Sequence, residues 1–121
     1  MKIPTSTLGS LLSLALLSSL PGLASAQTLG TPAWTSSTVE SCNGKYYVTW
    51  SAVTDATTYD IWALWPGATS YILLKATANT ATTVTAADAT LGSYFEVQAC
   101  NASGCGAVSS PLELPYYSGC P

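Results

Sequence analysis

The chain contains no histidine and no arginine, and only 7% of its 121 residues are charged. These shortages exclude several function classes before any motif is considered. Nucleic acid is held by clustered lysine and arginine that displace counterions. Lysines only at positions 2, 45 and 75 form no such cluster. An anionic membrane surface is excluded on the same ground. Nucleophilic catalysis needs a base within reach of the nucleophile, and neither Lys45 nor Lys75 stands in such a pattern with a serine. A carboxylate pair drawn from Asp55, Asp60 and Glu96 is the remaining catalytic option. Glycoside hydrolysis by paired acids needs a cleft and a defined separation, which a chain of this length is not expected to offer. The expectation is therefore no enzyme and no cofactor, with the acids serving solubility.

Long apolar runs are equally scarce, and the one that occurs is at the start. Lys2 supplies a positive end, Leu11 to Leu20 an apolar stretch, and Ala24-Ser25-Ala26 the small residues that signal peptidase requires. The stretch is broken by serines, stops at Pro21-Gly22, and is shorter than the roughly 20 residues that span a bilayer. Residues 1–26 thus read as a cleavable signal peptide, and no membrane insertion is expected after cleavage. The expected location is secreted, extracellular or periplasmic. Residues 27–121 are one domain's worth of chain. They hold two lysines against six carboxylates, a net charge of −4.

Four cysteines in an exported chain of this size read as disulfides, and four permit three pairings. Zinc is the competing reading. It fails for want of histidine and of a second short cysteine pair beside Cys100 and Cys105.

Helix formers such as Glu, Lys and Arg are few, and the mature chain reads as strand after strand. Lys45–Ser51 alternates, with Tyr46, Val48 and Trp50 on one face. Thr58–Leu64 places Tyr59, Ile61 and Ala63 on one face and Asp60, Trp62 and Leu64 on the other. Tyr71–Ala76 is more continuously apolar, and Thr82–Ala86 is short and β-branched. Tyr94–Cys100 divides into Phe95, Val97 and Ala99 against Tyr94, Glu96 and Gln98. Val108–Leu114 closes the series. Asn43-Gly44, Pro66-Gly67 and Asn101–Gly104 supply turn chemistry between strands. Short strands at regular spacing predict an antiparallel sandwich. Trp50, Tyr59, Ile61 and Val97 are the expected core.

Trp50 on the second strand and Tyr59 opening the third, in VTWSAVTDATTYDIW, together with VQACNASGCGAVSSP from Val97 to Pro111, give the chain a family likeness. It resembles a fibronectin type III domain over roughly residues 32–114, and in particular secreted bacterial members with a cysteine on each side of the last turn. The resemblance implies an all-β, antiparallel seven-stranded immunoglobulin-like β-sandwich. It further implies that the first interstrand loop and the chain's end share a pole. Cys42 would then pair with Cys120, and Cys100 with Cys105 across the opposite turn. One feature departs from the family. The position of the usual corner tyrosine is Ser93, with Tyr94 one place later. The corner is expected to be absent; the alternative is a bulge that turns Tyr94 inward.

The remaining signal is aromatic. Alternation turns Trp62 and Leu64 away from the core, and Tyr94 and Glu96 should lie beside them on the sixth strand. Trp65 and Tyr71 border the next turn, and Tyr116 and Tyr117 form a second patch expected near Cys42. Exposed aromatic and aliphatic groups rimmed by polar ones mark interaction sites, although cross-strand pairing alone would also explain Trp62. The expected function is a secreted non-catalytic binding or adhesion-type module contacting an extracellular carbohydrate or protein. The alternative is a structural, spacer or assembly component of the cell surface. Asn101-Ala102-Ser103 fits the glycosylation pattern and is read as a turn.

Overall fold

The computed structural model describes residues 28–117. The expected signal peptide and Cys120 lie outside the described residues. Among the described residues eight strands follow in order: β1 Trp34–Ser41, β2 Lys45–Trp50, β3 Thr58–Leu64, β4 Ile72–Thr77, β5 Ala81–Thr85, β6 Ser93–Asn101, β7 Gly104–Val108 and β8 Leu112–Leu114. They form two antiparallel sheets. One has the order β1-β2-β5; the other runs β4-β3-β6-β7, and β8 pairs with β6 beyond the end of β7. The described residues contain no helix.

Period-2 patterning decides which side chains meet between the sheets. Tyr46, Val48 and Trp50 from β2 face Tyr59, Ile61 and Ala63 from β3 and Phe95, Val97 and Ala99 from β6, all buried. Full burial of such a side chain stabilises by about 1.5–3 kcal/mol each. Trp50 sits edge-on to Trp34 at 5.7 Å and to Tyr59 at 5.6 Å between ring centroids. Two buried phenols also fasten irregular segments. The Tyr59 hydroxyl accepts from the Val53 amide (2.9 Å), fixing the β2–β3 loop, and the Tyr46 hydroxyl donates to the Pro115 carbonyl (2.6 Å).

The first turn and residues Pro115–Tyr117 share one pole. Gly44 adopts φ +85°, and a Cβ there would lie 2.7 Å from the Tyr116 ring and 2.8 Å from the Ala86 carbonyl oxygen. Only glycine relieves both constraints. The Gly44 amide donates to the Tyr117 carbonyl at 3.3 Å. Tyr116 and Tyr117 are therefore part of the packing around the Cys42–Lys45 turn. Cys42 is itself disulfide-bonded; its expected partner, Cys120, is outside the described residues. At the other pole Cys100 and Cys105 are directly paired and bridged.

One expectation about the strands needs correction. The final strand, expected over Val108–Leu114, is two strands and starts earlier, at Gly104. Pro111 has no amide to offer a ladder. Ser109, buried beside it, holds the break to β6: its amide donates to the Val97 carbonyl (2.8 Å) and its Oγ accepts from the Val97 amide (3.0 Å). Trp34 closes the same break from the other sheet, donating its indole N–H to the Ser110 carbonyl at 2.9 Å. The first strand, β1, carries almost no buried side chain and pairs with β2 through two register shifts. That explains why no alternation marks it in the sequence.

Ser93 occupies the corner position. It is fully buried, and its Oγ accepts from the Ala87 amide at 2.9 Å, six residues upstream. A serine hydroxyl thus makes a backward bond of the kind a corner tyrosine makes. Pairing of β3 with β6 is regular from Thr58↔Cys100 to Leu64↔Tyr94, so no bulge turns Tyr94 inward.

Candidate binding face

The four residues expected to share an outer face are brought together by register. Trp62 lies directly opposite Glu96, and Leu64 directly opposite Tyr94, across β3 and β6. Direct antiparallel partners project to the same side of a sheet. The face widens on both sides. Leu73 of β4 is opposite Trp62 and 52% exposed, while Val108 of β7 is opposite Gln98 and Glu113 of β8 is opposite Tyr94.

Polar bonds hold the aromatic groups in place. The Trp62 indole N–H donates to Gln98 Oε1 at 3.0 Å, and Gln98 Nε2 donates onward to the Gly106 carbonyl at 2.8 Å. Tyr71, just before β4, lies close enough to the Glu96 carboxylate for a side-chain hydrogen bond to contribute to its pKa. Burial, the Glu96 charge, that hydrogen bond and Tyr94 together raise the Tyr71 pKa, burial contributing most. Tyr46 is likewise raised, by burial first and then by Tyr117. A raised phenol pKa means that the unfolded chain ionises first. This part of the stability is present in full below about pH 10 and is lost as pH rises through the folded values. Glu96→Gln is expected to bring the Tyr71 titration to lower pH in an ultraviolet phenolate titration; an unchanged titration would show that Glu96 does not govern it.

Other sequence candidates sit elsewhere. Trp65 does not join the face, because the chain leaves the sheet after Leu64 and Trp65 packs edge-on against Phe95 at 5.8 Å. Trp50, Tyr59, Ile61 and Val97 lie in the interior. Asp55 lies in the β2–β3 loop at φ +69°, and its carbonyl accepts from Asn101 Nδ2 at 3.1 Å. Asn101 Oδ1 also accepts from the Ser103 amide at 2.8 Å, so this side-chain amide ties its own turn to the β2–β3 loop. Asp60 does lie on the outer face, with Oδ2 3.6 Å from Cys100 Sγ. A disulfide sulfur carries no proton, so this is a contact and not a hydrogen bond. Asp60, Cys100 and Cys105 are close enough to look like a metal cluster. Bridged sulfurs cannot serve as the thiolate ligands such a cluster would need.

Sequence reasoning missed the cleft at one end of this face. The Trp65–Ala68 turn is closed by an Ala68 amide to Trp65 carbonyl bond of 2.9 Å. Between that turn and the Leu91-Gly92 approach to β6 lies a space of about 190 Å³, with Leu64, Pro66, Tyr94 and Glu113 among its walls. Leu91, 67% exposed in a loop, was the one available signal.

No helix among the described residues is long and apolar enough to cross a membrane. The Cys100–Cys105 disulfide is compatible with an extracellular location. No protein-family model matches the chain, and no curated protein sequence does. Solved structures do. An Fn3-like protein from Clostridium thermocellum is 22% identical, with 76% of this chain and 95% of that one aligned at a TM-score of 0.60. The sixth fibronectin type III domain of human fibronectin type III domain containing protein 3 is 17% identical, covering 78% and 92% at 0.62. Domains A168–A170 of titin match at 16% identity and 0.55, and there the aligned region spans only 30% of the longer fragment. With its two antiparallel sheets and this set of structural neighbours, the chain has the fold of a fibronectin type III domain.

Proposed function

We propose that this chain is a secreted, non-catalytic binding module whose ligand surface is the outer face of the five-stranded sheet. The observation that carries the reading is the direct pairing of Trp62 with Glu96 and of Leu64 with Tyr94. Around them Leu73 and Val108 add exposed apolar area. Large apolar groups on a flat sheet, braced by hydrogen bonds and rimmed by carboxylates, form a preorganised contact surface at little entropic cost. The absence of histidine and arginine from the sequence supports binding over acid–base chemistry. The purely structural reading draws on the Trp62–Gln98 bond, which braces β3 against β6 with no ligand at all.

Amide chemical-shift mapping separates the two. The purified protein is titrated with soluble polysaccharides and with basic and acidic peptides, with Trp62→Ala alongside. Shifts are expected on the outer positions of β3 and β6, and Trp62→Ala should weaken binding about tenfold or more while the domain stays folded. Shifts confined to the β1-β2-β5 sheet, or no shifts with any probe, would favour the structural role.

A further inference from the structure

The cleft at the end of the outer face has a size and a chemistry that narrow its occupant. Sites for drug-sized ligands run to roughly 300–1,000 Å³. About 190 Å³ suits one side chain. Its walls are apolar at Leu64, Pro66, Leu91 and Tyr94, and the one charged lining group is Glu113. The carboxylate is placed by packing: a Cβ on Gly92 would lie 2.6 Å from Glu113 Oε2 and 2.7 Å from its Cγ. Gly92 therefore makes the room in which the Glu113 side chain lies over the approach to β6.

No cation of the described residues answers that charge. Lys75 donates to Thr82 Oγ1 (3.2 Å) and to the Thr83 carbonyl (2.8 Å), bridging to the other sheet. Lys45 lies on β2 in that other sheet, and arginine is absent from the sequence. Asp60 and Glu96 extend the negative charge along the same face.

We propose that this cleft receives a single lysine or arginine side chain from a partner polypeptide laid across the face. This rests on the outer face being the ligand surface and adds the chemistry of the partner. The methylene stem packs on Leu64, Pro66, Leu91 and Tyr94, as long cationic side chains pack while keeping their heads polar. The head forms a charge-assisted bond with Glu113 at the rim, and the Tyr94 ring adds a cation–π contribution. A neutral sugar could use the aromatic surface, but it has no cation to offer the carboxylate.

The test is an amide chemical-shift titration of the purified, disulfide-bonded protein with an end-blocked octapeptide of alternating lysine and alanine. Its ε-acetyl-lysine counterpart and a soluble neutral glucose oligomer run in parallel. The lysine peptide is expected to shift Leu91, Gly92, Tyr94 and Glu113 saturably. Acetylation and Glu113→Gln should each weaken binding about tenfold, with the melting temperature of the variant unchanged, and added salt should weaken it further. Equal binding of the acetylated peptide, or an unaffected Glu113→Gln variant, would overturn the cleft assignment. If the glucose oligomer shifts Trp62 and Glu96 while the lysine peptide leaves Glu113 unmoved, the outer-face reading stands and the cation cleft falls. No shift on β3 or β6 with any probe would remove both.

Discussion

Replacing Phe95 with alanine is expected to destabilise the domain by about 3–5 kcal/mol. Phe95 is 0% exposed and heads the largest fully buried side chains. It lies between Ala63 of β3 and Leu112 of β8 in the sheet, and Trp65 meets it edge-on at 5.8 Å. No single neighbour can collapse into the space, because Phe95 is flanked on both sides by hydrogen-bonded strands. At about 4–8 °C per kcal/mol for a domain of this size, the melting temperature should fall by about 12–40 °C. Thermal and urea unfolding measure this directly; a loss below about 1 kcal/mol would mean that the core is not packed around this ring. Trp65 also lines the cleft. Peptide binding should therefore weaken in the same variant for want of a support, whereas Glu113→Gln should weaken it at full stability.

Cys42→Ser is expected to cost more than Cys105→Ser. Cys42 is disulfide-bonded, and the expected pairing with Cys120 would close a loop of roughly 80 residues, for which chain entropy assigns about 4.5 kcal/mol. The bridge between Cys100 and Cys105, separated by 5 in sequence, closes a small loop of about 2 kcal/mol by the same estimate. The first variant should therefore lose on the order of 20 °C in melting temperature and the second about half as much. The Gly44–Tyr117 and Tyr46–Pro115 bonds partly hold the chain's end without the first bridge. Cys105→Ser should instead loosen mainly the Asn101–Gly104 turn. Calorimetry ranks the two costs, and peptide mapping reads the pairing. A larger loss from Cys105→Ser, or a Cys42–Cys100 peptide, would contradict the arrangement.

Legibility in the sequence followed burial. β2, β3 and β6 each have one face in the interior, so every second residue had to be apolar, and their faces could be read residue by residue and their boundaries to within one residue. β1 has neither face buried, which leaves its Thr and Ser positions without a pattern. Trp65, expected to border the turn after β3, does so, and its ring packs on Phe95 on the same inward side as Tyr59, Ile61 and Ala63. Ser93 shows a different limit. Its hydroxyl could be recognised as corner chemistry only once the Ala87 amide was seen against it.

From sequence alone came the all-β class, the inward and outward faces of the central strands, the aromatic character of the outer one, and a charge balance unsuited to nucleic acid. These are local properties, fixed by the two-residue period of an extended backbone and by composition. Tertiary structure alone decided which outward residues are neighbours, where the last strand breaks, and that Glu113 lies over Gly92 beside an apolar cleft. The physical reason is register. Residues distant in the chain meet only through the offset between paired strands, and turns, bulges and a proline break set that offset, not any periodicity within one strand.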